Sequence, residues 1–186
     1  MKFKHVFAFV VVLALLSVSA MPARSQMGGA KFYVTIEGVR QGKFKGEGVS
    51  AAFRDKIPGY RFSYEVTLPG NPATGQFSGR RQHSPVVITK ELDSATPQIF
   101  QALITNEALR TVLIEFVRPG PRGIEEVYQT IRLTNASVAA IREHINQPRA
   151  GEVGDNRALE DVSFTFHKIE IESKVGKTVA MDDLAR

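Results

Sequence analysis

Apolar and polar residues alternate along much of this chain with a period of two, the pattern of strands with one buried face. In residues 31–36, Phe32, Val34 and Ile36 share one side, and Gly38 stops the run. Residues 61–68 alternate again, which predicts that Phe62, Tyr64, Val66 and Leu68 point inward. Residues 69–75 (PGNPATG) cannot continue a strand and read as a loop. Pro85 then opens a strand over Val86 to Lys90. Residues 111–117 are apolar on both faces except at Glu115, as expected of a strand buried between layers or at a subunit contact. After a Pro-Gly turn at 119–123 come strands over 126–133 and 136–141, interrupted at Thr134-Asn135, and a polar loop over 147–156. Val162, Phe164 and Phe166 share a face, but the apolar positions then become Ile169 and Ile171. That slip predicts a bulge near His167-Lys168.

One segment breaks the period. Thr96 can cap a helix, Pro97 suits its first turn, and Phe100, Leu103 and Ile104 fall on one face, so the spacing predicts a helix over Pro97 to Asn106. Seven or eight short strands with one helix and no internal repeat predict a mainly β fold, a closed or nearly closed barrel, with a β-sandwich as the alternative. The polar tail after Ser173 carries Val175, Val179, Met181 and Leu184 at intervals, spaced to dock on the barrel or on a neighbour.

The N-terminus changes the picture of location. Lys2, Lys4 and His5 precede an apolar run from Val6 to Val18, too short for a membrane span of about 20 residues. Small residues follow before Met21 and before Gln26. Residues 1–25 therefore read as a signal peptide, with 26–186 as one domain and a periplasmic or extracellular destination. The full chain of 186 residues has a formal charge of +5; removing Lys2, Lys4 and Arg24 leaves 21 basic against 19 acidic residues. That balance argues against nucleic acid or an acidic membrane as partner. With no cysteine, a lipoprotein anchor and a disulfide scaffold are excluded, and a domain of this size buries enough core to fold without either.

Candidate chemistry is sparse. His83, His144 and His167 lie far apart, without metal-ligand spacing. There is no G-x-S-x-G elbow, and Gly38, Gly42, Gly46 and Gly48 match no phosphate-binding pattern; they read as turns. The paired carboxylates Glu125-Glu126 and Asp182-Asp183 are neighbours, which a strand points to opposite faces. Arg40, Lys43, Lys45, Arg80 and Arg81, with Phe44 among them, suit solubility or inter-subunit ion pairs.

Four segments in order carry a family resemblance: residues 78–91 (SGRRQHSPVVITKE), 98–107 (QIFQALITNE), 131–138 (IRLTNASV) and 159–170 (LEDVSFTFHKIE). Together they resemble the haemolysin-coregulated protein (Hcp) family, the inner-tube protein of type VI secretion. The resemblance implies a small β-barrel of two packed antiparallel sheets with one helix. It implies homo-hexameric rings that stack into a tube, effector proteins in the lumen, sheath and spike proteins as further partners, and no cofactor, metal or catalytic residue. It places ring or stacking contacts at Gln41, Lys43, Phe44 and Lys45, within the region 41–60 that matches a loop reaching the next ring. Arg80, Arg81, Asp182 and Asp183 are further contact candidates. Leu184 stands where the family commonly has an aromatic, the loop 147–156 departs from the family's compact pattern, and standard members carry no signal peptide. The signal peptide supports an alternative, a stand-alone exported binding module outside any contractile machine.

Overall fold

The computed structural model describes residues 31–71, 75–77, 79–145 and 157–184. The expected signal peptide, the centre of the 69–75 loop and the 147–156 loop lie outside these residues.

Among the described residues, thirteen strands, one α-helix and two short 3-10 turns follow one another. The first five are β1 (Phe32–Gly38), β2 (Gly42–Lys43), β3 (Ile57–Gly59), β4 (Arg61–Ser63) and β5 (Val66–Thr67). Then come β6 (Gly70–Asn71), β7 (Gln76–Phe77), β8 (Gln82–His83), β9 (Val86–Glu91) and α1 (Thr96–Ile104). The last four are β10 (Leu109–Pro119), β11 (Glu125–Ile145), β12 (Ala158–Ser173) and β13 (Thr178–Asp183).

All pairings are antiparallel, and they run β1-β10-β11-β12-β9-β4. The segment 57–63 completes the circuit: β4 pairs with β9, while β3, one residue before it, pairs with β1. Lys31 N–H donates to the Gly59 carbonyl at 2.9 Å and Tyr60 N–H to the Thr89 carbonyl at 2.9 Å, so one chain segment stitches the two edges together. The fold is thus the expected antiparallel barrel with a single helix, and closure removes the edges that an open sheet would expose. Its core is Phe32, Val34, Ile36, Ile88, Ile114, Leu133, Val162 and Phe164 with their neighbours, contributed from around the circuit.

Several local expectations change. The inward line of α1 is Ala95, Ile99, Ala102 and Leu103, while Phe100 and Ile104 are 52% and 59% exposed. Small alanines let the helix approach the sheet closely, and the bulky pair turns outward. Thr96 is the first helical residue rather than the cap. Ala95 holds the cap position, and Asp93 fixes the turn leading into it: its Oδ1 accepts from Ala95 N–H at 2.8 Å and its carbonyl from Thr96 N–H at 3.0 Å. At the other end Asn106 adopts φ 48°, Glu107 N–H reaches the Ala102 carbonyl and Asn106 N–H the Leu103 carbonyl. This Schellman motif stops the helix where the sequence places its end.

The 61–68 run is not one strand. Phe62 and Tyr64 pack on the core, but Val66, in a separate short ribbon with β8, and Leu68 just after it are half exposed. β11 runs unbroken through Thr134-Asn135. The apolar phase does slip, from Leu133 to Ala136 on β11 and from Phe166 to Ile169 on β12. Those positions pair with each other, so both strands switch faces together and their register holds. Asn135, at φ 49°, accommodates the twist. The register shift itself lies between Val138 and Ala140, not at His167-Lys168.

Candidate assembly surfaces

Three polar clusters fix the elements that a partner would meet. The first holds the turn between β1 and β2. Glu107, 3% exposed, accepts from Arg40 N–H at 2.7 Å, Gln41 N–H at 2.9 Å and Gln41 Nε2 at 2.9 Å. Burial pushes its pKa up, but the donors from Gln41 and Arg40 outweigh that, and the carboxyl is held below its ordinary 4.5. Gln41 Nε2 also donates to the Gln98 carbonyl, and Lys45 N–H to Gln98 Oε1, so the turn is tied to the helix. Past it, Phe44 is buried in the core. The chain then folds back on itself: Gly46 N–H donates to Asp55 and Gly48 N–H to Lys56. A Cβ on Gly48 would sit 2.2 Å from the Phe53 carbonyl, so only glycine permits this approach.

This geometry sorts the residues expected on the region 41–60. Gln41 is half-buried and spends its donors inside the chain, and Phe44 belongs to the core. Lys43 and Lys45 alternate outward with Phe44 between them and are exposed. The apolar tip of the same segment, Val49, is 93% exposed.

The second cluster holds the tail. β13 pairs with β12 from Ser173↔Thr178 to Lys168↔Asp183, so the tail docks on its own barrel. Arg81 grips Asp182 with both Nε and Nη2, and His83 Nε2 lies 3.1 Å from the same carboxylate. On the other side of His83, Nδ1 is 2.5 Å from the Tyr64 hydroxyl. The Arg81 hydrogen bonds hold the Asp182 carboxyl below its usual range, and burial, then Asp182, pushes the Tyr64 phenol up. Arg81 and Asp182, both expected contact residues, thus meet each other across 101 positions. Asp183 offers its carbonyl to Arg81, and Arg80 is exposed beside them. Outward from β13 face Val179 and Met181, 59% and 61% exposed.

The third cluster is centred on a fully buried pair, Lys90 and Glu160. Lys90 Nζ lies 2.5 Å from Glu160 Oε1, 2.8 Å from Asp93 Oδ1 and 3.2 Å from Thr96 Oγ1, while Thr96 donates to Glu160 at 2.5 Å. It locks the helix start onto β9 and β12. Sequence reasoning missed Glu107, Glu160 and the role of His83. Glu160 stands next to Asp161 on a strand of mixed character, so nothing in the local pattern marks it as the buried one.

With this geometry established, similarity to known proteins decides the family. The model of the type VI secretion system effector Hcp matches residues 33–172. The chain belongs to the Hcp family. The "Major exported protein" of Pseudomonas aeruginosa is 33% identical over 160 residues, covering 81% of this chain and 93% of that one. A crystal structure of an Hcp protein superposes with a TM-score of 0.77 at 26% identity, covering 84% of this chain and 98% of the other. The secreted protein Hcp3 from Pseudomonas aeruginosa gives 0.68 at 28% identity, again over 84% and 98%. The E. coli EAEC 042 Hcp1 protein gives 0.74 at 22% identity over 83% and 99%, a likeness of fold alone.

Proposed function

We propose that this Hcp chain is the ring-forming tube subunit of a type VI secretion machine, with six copies closing head to tail and the rings stacking around a lumen that carries effectors. The observation that carries this reading is coverage: the match spans nearly the whole of an Hcp protein and most of this chain, barrel and helix together. A closed ring needs two different faces on each subunit that meet after a fixed rotation. In this reading Lys43 and Lys45 on one segment, and Arg80 beside the tail strand with Asp183 at its end, supply the charged parts of such contacts. Gln41 and Phe44 act behind them by holding the turn, and the Arg81–Asp182 pair by holding the tail.

The N-terminal sequence favours a second reading. A basic start and an apolar run from Val6 to Val18 suit a cleaved signal peptide, which would deliver the protein outside as a stand-alone module. Comparing the native host with a strain lacking its contractile sheath separates the two. A tube subunit disappears from the medium when the sheath is lost. A signal-driven module persists, and its mature N-terminus begins at Met21 or Gln26.

A further inference from the structure

β13 pairs with β12 and, among the described residues, with no strand on its other side. The hydrogen bonds show which of its backbone groups are left over. Asp183 stands opposite Lys168, and Leu184 N–H donates to the His167 carbonyl at 2.8 Å. In an antiparallel pair, bonding to the neighbour alternates from one residue to the next. Asp182, Ala180 and Thr178 therefore bond to β12, while Asp183, Met181 and Val179 aim their N–H and C=O groups away from it. The Asp183 carbonyl fits this parity, since it accepts from Arg81.

Sheet proteins blunt such edges with proline, lysine or a bulge. The stretch Thr178-Val179-Ala180-Met181 has none of these: its register against β12 is regular and every residue in it is exposed. The β5–β8 ribbon reaches the strand only at its far end, where Arg81 and His83 hold Asp182. Nearer the open stretch, a gap of about 170 Å³ lies between Tyr64 and Val66 on one side and Ala180 and Met181 on the other.

We infer that this open edge is an interface with a second copy of the chain, the two β13 strands pairing antiparallel about a two-fold axis at Ala180. The strand is complementary to itself in that arrangement. Val179 and Met181 lie equally far from Ala180, so each Val179 falls opposite Met181 of the second copy. Both aim their backbone groups at the edge, so they exchange hydrogen bonds in both directions, and their outward apolar side chains meet on one face. Lys177, exposed at the end of the preceding turn, comes to the Asp182–Asp183 end of the other strand. Parallel pairing would instead set Lys177 beside Lys177 and carboxylate beside carboxylate. The Arg81–Asp182 pair stays within each copy. This contact is isologous, the same patch on both partners, and so differs from the head-to-tail contact of a ring and does not rest on it.

The chain has no cysteine, so Ala180→Cys places one thiol in each copy. On the axis the two residues form a non-hydrogen-bonded pair with Cα atoms about 4.5 Å apart, within disulfide reach. Oxidation of the full-length variant with diamide should give a covalent dimer on a non-reducing gel. Val175→Cys, exposed in the turn and off the axis, should cross-link at least about tenfold more slowly. Adding Val179→Lys to Ala180→Cys should slow the reaction about tenfold, through loss of both Val179–Met181 pairs. In the unmutated chain, amide exchange of Val179 and Met181 should slow as protein concentration rises, while that of Ala180, already bonded to β12, should not; this reports the interface without any substitution. Ala180→Cys cross-linking no faster than Val175→Cys, or exchange at Val179 and Met181 that ignores concentration, would overturn the inference.

Discussion

The turn after β1 and the strand β13 are both held by a carboxylate, yet the two attachments differ in kind. Glu107 is sealed from water and takes its hydrogen bonds mostly from backbone and amide N–H groups. Asp182 faces solvent in part and is gripped by Arg81, itself 43% exposed, and by His83. A buried carboxylate must be fully satisfied or the fold loses its desolvation energy. An exposed ion pair is screened and contributes little to stability. The lesson is a division of labour. The 39–45 turn is part of the barrel's folding unit, whereas β13 lies along β12 as an edge strand whose side-chain attachment, Arg81 on Asp182, is one that water can replace.

The comparison extends to its buried limit at Lys90. Replacing it by methionine removes the cation shared by Glu160 and Asp93, and the loss should be roughly 3–5 kcal/mol in chemical denaturation, as for other broken buried pairs. Phe44→Ala should cost about as much, roughly 3–5 kcal/mol, because it opens a cavity beneath the turn. A loss far smaller than this would mean that the turn is not part of the folding unit. Glu107→Gln keeps the shape but presents N–H groups toward the Arg40 and Gln41 donors, and should cost roughly 1–3 kcal/mol. Asp182→Asn should leave the melting temperature nearly unchanged while hydrogen exchange quickens selectively across residues 178–183. Global destabilisation by that variant would erase the distinction drawn between the two regions.

Acid sharpens the same contrast. Glu107 and Asp182 both have carboxyls held below their ordinary values of 4.5 and 3.8. A depressed folded value gives stability that is complete above the unfolded value and is lost as pH falls through the folded one. Wild type should therefore lose stability below about pH 4.5, and Glu107→Gln should lose less over that interval because part of the effect is already gone. A melting-temperature profile of both proteins between neutral pH and about pH 3 measures this. Parallel profiles would remove Glu107 from the account.

The barrel was legible because its main strands bury one face and alternate: β1 and β9 emerge where the pattern places them. The helix was legible in extent but not in orientation. Phe100 is the bulkiest apolar side chain in it, yet it and Ile104 face outward while Ile99 and the small Ala102 pack on the sheet. Val66 and Leu68 alternate correctly but are half exposed, on and just beyond a short ribbon, and period alone does not say whether a face will be covered. The polar clusters were the least visible. The pairs Arg40–Glu107 and Arg81–Asp182 bring together residues 67 and 101 positions apart, and only the closed topology makes them neighbours. Of the expected contact residues, Phe44 is the instructive one: flanked by lysines it looks like a surface aromatic, but the strand's alternation turns it inward.

Electron microscopy of the purified protein tests the central claim most directly. Class averages should show six-fold rings with an open centre, stacking end to end at high concentration. Compact single-subunit particles that persist at tens of micromolar would contradict the tube-subunit reading.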